Sequence, residues 1–124
     1  MKQPLALLLY EKLLPGSQLV NKLQDLGYRV QPVPDPADLV NTAEQEKPLL
    51  IFADLEPHVE KVSAAIAALR AHEPTSHIPV IAFASVRNPE AQETARQAGA
   101  TLVVNNASIL IHLSQFLEQA LRVD

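Results

Sequence analysis

The stretch PLLIFAD, residues 48–54, is an apolar run that ends in a carboxylate, Asp54. A second acidic residue, Glu11, comes directly after Tyr10, the last residue of another apolar run, LALLLY. A carboxylate at the end of a buried segment either takes part in chemistry, or only caps the loop or helix that follows. The choice between these roles depends first on whether the two runs end at the same place in the fold.

Apolar runs of strand length alternate about five times with segments of helical periodicity. This alternation predicts a parallel sheet with helices on both of its faces. Right-handed crossovers then favour an α/β, flavodoxin-like doubly wound sheet in the order 2-1-3-4-5, in one domain over residues 1–124 with no output domain. The expected strands are 5–10, 28–33, 48–54, 78–84 and 101–104, and the expected helices are 16–27, 35–47, 58–73, 88–99 and about 107–121.

Local signals support these boundaries. Asp35 and Asn88 each precede a proline, which is the pattern of a helix N-cap followed by its first residue. Gly27 and Gly99 are expected to end their helices. Pro32 cannot donate a backbone hydrogen bond, so the second strand should lie at an edge of the sheet.

The predicted strand order brings the acidic residues together. Strands one and three are central neighbours in this order, and ligands bind beyond the carboxyl ends of such strands. Tyr10, Glu11 and Asp54 are therefore expected at one crevice.

Composition excludes several classes of function. The formal charge is −4 and the sequence contains no basic cluster, so neither nucleic acid nor an anionic membrane surface is an expected partner. The absence of Cys excludes thiolate sites and fits a reducing cytoplasm.

The first apolar run is too short to span a membrane, since Glu11 and Lys12 interrupt it. No GxGxxG, Walker or GxSxG pattern occurs.

Three segments carry a family resemblance. PLLIFADL, HIPVIAFAS and ARQAGATLVV, in this order and spacing, resemble the third strand, the fourth strand and the segment into the fifth strand of response-regulator receiver domains. The resemblance covers essentially the whole chain. It implies a non-enzymatic, cytoplasmic, CheY-like protein of a bacterial two-component phosphorelay, whose partner is a sensor histidine kinase or another signalling protein.

The same resemblance implies roles for individual residues. Asp54 falls at the phosphoacceptor position, and Glu11, Asp54 and the backbone near Glu56 are the implied ligands of a weakly bound Mg²⁺. The hydroxyl position falls on Ala84, with Ser85 next to it as a candidate phosphate contact.

Two further positions depart from the family pattern. Tyr10 takes the place of the first acidic residue and would lie in the metal pocket, and uncharged Asn106 takes the place of a lysine. The implied site is therefore incomplete, as in a degenerate receiver or pseudo-receiver.

Other interpretations of these residues stay open at this point. Asn105 and Asn106 are good caps for the last helix, Ser85 fits an ordinary loop, and Tyr10 fits a half-buried aromatic at a strand end. His58 is expected to be a surface histidine.

The function also has alternatives. The chain could act by protein contact without phosphorylation, or bind a small molecule in the same crevice. A homodimer could form through the fourth helix, the fifth strand and the fifth helix. Leu110 and Ile111 cannot both face the core with Ile109 and Leu113, so an apolar stripe is expected to be left over on the last helix.

Overall fold

The computed structural model describes residues 3–10, 13–56 and 58–121. It contains a five-stranded sheet, and each strand is followed by at least one helix. The strands are β1 Leu5–Leu9, β2 Arg29–Val33, β3 Leu50–Asp54, β4 Val80–Ala84 and β5 Leu102–Asn105. The helices are α1 Leu13–Asp25, α2 Leu39–Glu46, α3 Val59–Ala71, α4 Pro89–Ala98, α5 Asn106–Ile111 and α6 Leu113–Ala120.

The sheet is parallel throughout and has the order β2-β1-β3-β4-β5, which confirms the predicted topology. Leu9 lies beside Ala53, and Asp54 lies beside Phe83, so β1, β3 and β4 end at one edge of the sheet. We call this the carboxyl edge. Pro32 lies in the edge strand β2, as expected for a residue that cannot donate to a ladder.

The two faces of the sheet carry separate cores. Successive residues of β3 alternate between them: Ile51 and Ala53 pack with α2, α3 and α4, whereas Leu50 and Phe52 pack with α1, α5 and α6. Every residue of β1, β3 and β4 is buried. This double burial explains why these strands read as unbroken apolar runs.

The structure confirms the predicted helix starts after Asp35 and Asn88. Asp35 Oδ1 accepts a hydrogen bond from Ala37 N at 3.0 Å, in a 3₁₀ turn that leads into α2. Asn88 Oδ1 accepts one from Ala91 N at 3.2 Å at the start of α4. Each bond satisfies a backbone amide that a helix start otherwise leaves without a partner.

Two predicted helix limits were wrong. Helix α1 begins at Leu13 and not at Gly16, because Pro15 lies in the first turn, where its missing N–H is not needed. The last helix divides into α5 and α6 at His112, whose backbone is not helical, although Phe116 N still donates to His112 O at 3.0 Å.

No helix in the described ranges 3–10, 13–56 and 58–121 has the length and apolar character that a bilayer span needs.

Arg70, near the end of α3, forms hydrogen bonds that join this helix to two other segments of the chain. Its Nε donates to Gly99 O at 2.8 Å, and its Nη1 donates to the carbonyls of Ser76 and Ile78 at 2.9 and 2.7 Å. Its Nη2 donates to Thr101 Oγ1 at 3.1 Å. Burial lowers the pKa of Arg70 from its ordinary value, but an arginine stays charged at neutral pH. The guanidinium thus fixes the end of α4 and the start of β4 against α3.

Replacing Arg70 with Ala should lower the free energy of unfolding by about 2–4 kcal/mol, because several carbonyls lose a charged donor at once. Denaturant unfolding followed by circular dichroism measures the loss. Arg96→Ala is the matched control, since Arg96 is exposed and pairs with Glu93 on the same helix. It should cost no more than about 1 kcal/mol. Equal losses in the two variants would contradict the role given to Arg70.

Candidate functional site

The carboxyl edge gathers most of the predicted site residues. Tyr10 directly follows β1, Asp54 ends β3, Ser85 directly follows β4 and Asn106 directly follows β5. A small cavity lies at this edge on the side of β1 and β3. Its lining consists of Leu9, Tyr10, Pro34, Pro36, Asp54, Glu56, His58 and Val62.

Asp54 is buried, with only 2% of its surface exposed. Its Oδ1 accepts a hydrogen bond from the backbone N–H of Glu56 at 3.1 Å. A buried carboxylate needs such donors, because transfer of a charge from water is costly. Asp54 therefore both lines the cavity and shapes the loop that follows β3.

Tyr10 is half-buried and borders both the cavity and the core on the α1 side of the sheet. This position fits both interpretations of the residue, since its ring packs as a strand-end aromatic and also lines the space beside Asp54. Glu11, the predicted metal ligand, lies outside the described residues.

Glu56 makes contacts that the sequence did not indicate. Its Oε1 accepts a hydrogen bond from Ser85 N at 2.8 Å, and its Oε2 accepts one from the side-chain Nδ2 of Asn88 at 3.4 Å. The carboxylate therefore connects the loop after β3 to the loop after β4. Such a contact joins residues 29 positions apart, and no local pattern in the sequence indicates it.

Ser85 has a loop role in the structure. Its Oγ accepts a hydrogen bond from Arg87 N at 3.1 Å, which is a local serine turn. The residue before it, Ala84, is buried at the end of β4 and carries no hydroxyl. Ser85, directly after β4, therefore carries the first hydroxyl beyond the end of that strand.

Asn105 and Asn106 differ in their hydrogen bonds. Asn105 is the N-cap of α5, because its Oδ1 accepts a hydrogen bond from Ser108 N at 2.8 Å. Asn106 is the first residue of that helix, and its buried Oδ1 has no hydrogen-bond partner within the part of the chain that the structure describes. The capping prediction is thus confirmed for Asn105.

His58 is exposed and borders the cavity. Over residues 3–10, 13–56 and 58–121, no three His, Asp or Glu side chains form a cluster that could hold a metal. The oxygen donors of Asp54 and Glu56 are nevertheless of the kind that Mg²⁺ prefers, and Mg²⁺ usually keeps several of its waters. The donor types therefore fit Mg²⁺, with Glu11 as the further carboxylate predicted from the sequence.

The cavity is narrow. Its volume is about 10 Å³, close to the space that a single water molecule requires.

Solved structures resemble this chain over nearly its whole length. The receiver domain of a sensor histidine kinase of Pseudomonas aeruginosa, crystallised with magnesium in its active-site cleft, has a TM-score of 0.85 and 24% identity, covering 97% of this chain and 98% of that chain. The receiver domain of a signal transduction histidine kinase of Syntrophus aciditrophicus has a TM-score of 0.82 and 18% identity, covering 98% and 95%.

A third structure is a complex. It contains the receiver domain of a Saccharomyces cerevisiae response regulator together with a histidine phosphotransfer protein, and it has a TM-score of 0.78 and 16% identity, covering 97% of this chain and 91% of that chain. No protein-family model and no curated protein matches the sequence. At these identities the likeness establishes the fold, which is that of a receiver domain.

The two neighbouring asparagines give a direct test of the capping assignment. Asn105→Ala should lower the free energy of unfolding by about 1 kcal/mol, because a helix amide loses its acceptor. Asn106→Ala should change it by less than about 0.5 kcal/mol, because the carbonyl oxygen that it removes is buried without a donor among the described residues. Denaturant unfolding of both variants measures the difference. A larger loss in Asn106→Ala would show that the assignment is wrong.

Proposed function

Starting from a chain with the receiver fold, we propose that this protein is a receiver-like domain of phosphorelay signalling that acts through protein contacts. Asp54 is its phosphoacceptor. The observation that carries the proposal is the position of Asp54 at the end of the central strand β3, where it lines the cavity at the carboxyl edge. This is where a doubly wound parallel sheet places its ligands.

The structural neighbours support the phosphorelay context. Two are receiver domains of histidine kinases, and a third is a receiver domain together with a histidine phosphotransfer protein. The corresponding donor for this chain is a phosphohistidine on a sensor kinase or another signalling protein. The proposed location is the cytoplasm, and the domain needs no catalytic activity of its own on a separate substrate.

The proposed transfer is a displacement at phosphorus. An Asp54 carboxylate oxygen forms a bond to the phosphorus of the phosphohistidine, the nitrogen–phosphorus bond breaks, and the histidine nitrogen keeps the electron pair. Asp54, Glu11 and the backbone of Glu56 would hold Mg²⁺, which when bound supplies positive charge that offsets the repulsion between carboxylate and phosphoryl oxygens.

The residues around Asp54 make this site weaker than the complete receiver pattern. Asn106 can donate a hydrogen bond but supplies no positive charge, and Tyr10 supplies no carboxylate. Ala84 supplies no hydroxyl, which leaves Ser85, directly after that strand, as the candidate donor. We therefore expect slow phosphorylation and weak Mg²⁺ binding.

A second candidate function is protein contact without phosphorylation. The observations that favour it are the burial of Asp54 and the small volume of the cavity beside it. In this alternative Asp54 only organises the loop after β3, through its hydrogen bond with the Glu56 amide.

The surface for such contacts is also a proposal. A homodimer through α4, β5 and α5 stays a prediction. The leftover apolar residue of the last helix is Ile111, which is 73% exposed, while Ile109 and Leu113 are buried. Ile111 borders the same groove as Leu26, which lies just beyond α1, so this apolar patch is on the α1 side of α5.

The phosphoacceptor proposal predicts a covalent product. Incubation with Mg²⁺ and acetyl phosphate should add one phosphoryl group to the wild-type protein, slowly, and intact-mass spectrometry detects the adduct. Asp54→Asn should abolish it, because an amide oxygen does not form the acyl phosphate.

Asp38→Asn is the matched control, because Asp38 is an exposed aspartate whose side chain forms no helix-cap hydrogen bond. This variant should retain the adduct. Wild-type protein that stays unmodified under conditions that fully modify a reference receiver domain would favour contact without phosphorylation.

A further inference from the structure

A groove between the end of α1 and the last two helices collects exposed apolar surface. We call it the α1–α5 groove, and its lining consists of Lys22, Asp25, Leu26, Leu110, Ile111, Leu113 and Ser114. Two of these side chains are large, apolar and exposed, Leu26 at 46% and Ile111 at 73%, and Leu110 is half-buried. An apolar patch with a polar rim is typical of a protein–protein contact.

The wall formed by the end of α1 has a fixed conformation. Gly27 follows Leu26 with a φ of +92°. Gly27 N donates to Gln24 O at 3.0 Å, and Tyr28 N donates to Leu23 O at 3.0 Å, which is the hydrogen-bond pattern of a Schellman helix end. The backbone of Leu26 is therefore already ordered before any partner binds, which lowers the entropy cost of a contact there.

The opposite wall contains the break between α5 and α6. Two groove residues precede His112 and two follow it, and the φ and ψ of His112 are −112° and 27°. Phe116 N donates to His112 O at 3.0 Å, and the two rings contact edge to face with their centroids 6.2 Å apart. No glycine or proline accounts for the break. Irregular structure without a local cause is expected where a sequence serves function as well as folding.

The rim of the groove carries two opposite charges. Lys22 and Asp25 are exposed in the last turn of α1, and neither side chain forms an ion pair with another residue in the described part of the chain. A carboxylate at the C-terminal end of a helix is unfavourable for that helix, because the helix dipole is negative there. A cation placed opposite Asp25 would offset this cost.

We propose that the α1–α5 groove binds the same groove of a second copy of this chain, in a twofold-symmetric dimer. A patch with one positive and one negative charge beside an apolar centre is complementary to itself about a twofold axis. Ile111 of each copy packs against the partner's Leu26, and Lys22 of each copy faces the partner's Asp25.

The face of α4, β5 and α5, which the sequence suggested for a homodimer, offers less apolar surface. Helix α4 and strand β5, described over Pro89–Ala98 and Leu102–Asn105, have no large apolar side chain that is exposed. The exposed apolar residue of α5 is Ile111, which borders the α1–α5 groove. The apolar surface of the last helix therefore favours the α1 side for the contact.

Helix α1 separates this groove from the carboxyl edge. The helix follows β1, and its 13 residues span about 20 Å before it ends at Asp25. A second copy bound at the far end of α1 leaves the carboxyl edge uncovered. The dimer therefore does not depend on the proposed phosphoacceptor function of Asp54.

Analytical ultracentrifugation of the full chain, from low micromolar to several hundred micromolar, should show a reversible monomer–dimer equilibrium. Ile111→Glu should raise the dissociation constant at least about tenfold, because each copy would bury an unpaired charge. Val86→Glu is the matched control, since Val86 is 70% exposed and lies between β4 and α4, outside the groove. It should leave the dissociation constant within about twofold of the wild type. Circular dichroism checks that both variants stay folded.

Charge reversal tests the twofold arrangement. Lys22→Glu should weaken the dimer several-fold, because it places a carboxylate opposite the partner's Asp25 at two symmetric positions. Asp25→Lys should weaken it in the same way. The double variant Lys22→Glu/Asp25→Lys restores opposite charges across the axis, so its dissociation constant should return to within about twofold of the wild type.

Three results would overturn the proposal. The first is a wild-type chain that stays monomeric at several hundred micromolar, and the second is a dimer that Ile111→Glu leaves intact. The third is a dimer that Arg96→Glu, on the exposed side of α4, weakens while Ile111→Glu does not, which would move the contact to the α4 face. A double charge variant as weak as the single variants would overturn the pairing of Lys22 with Asp25.

Discussion

The burial of the Asp54 carboxylate at the end of β3 is the constraint on which the candidate site depends. An ionised carboxylate loses most of its hydration when it is buried, and hydrogen-bond donors must replace that hydration. The Glu56 amide supplies one donor, and to do so the chain must turn sharply as it leaves the strand. This turn directs the Glu56 side chain towards β4, where it bonds with Ser85 and Asn88. The hydrogen bonds of Glu56 therefore connect the turn after β3 to the loop after β4.

The rest of the fold keeps that edge in place. Strands β1, β3 and β4 are buried on both faces, so the positions of their ends are determined by two cores and not by the loops. At the opposite edge of the sheet, where the strands begin, Arg70 fixes the end of α4 near the start of β4. Helix α4 is therefore held firmly at its C-terminal end by Arg70, and its N-terminal end is held through Asn88 and Glu56.

Much of the fold could be predicted from the sequence because its signals are local. The unbroken apolar run 48–54, the proline in β2 and the Asp–Pro and Asn–Pro caps each reflect the backbone of a few neighbouring residues, and the structure confirms them. The position of Asp54 at the carboxyl edge follows from the strand order. The role of Glu56 could not be predicted, because its partners come from a different loop. Arg70 was missed for the same reason, since its acceptors are carbonyls of other segments. The division of the last helix at His112 has no glycine or proline to mark it.

The central claim is that the carboxyl edge beside Asp54 is a site for Mg²⁺ and a phosphoryl group. An NMR titration with Mg²⁺ tests this most directly, because it requires no phosphodonor and resolves individual residues. The account predicts saturable shifts at the amides of Tyr10, Asp54 and Glu56, which disappear in Asp54→Asn. Shifts that spread over the acidic surface without saturation, or that persist in Asp54→Asn, would contradict it.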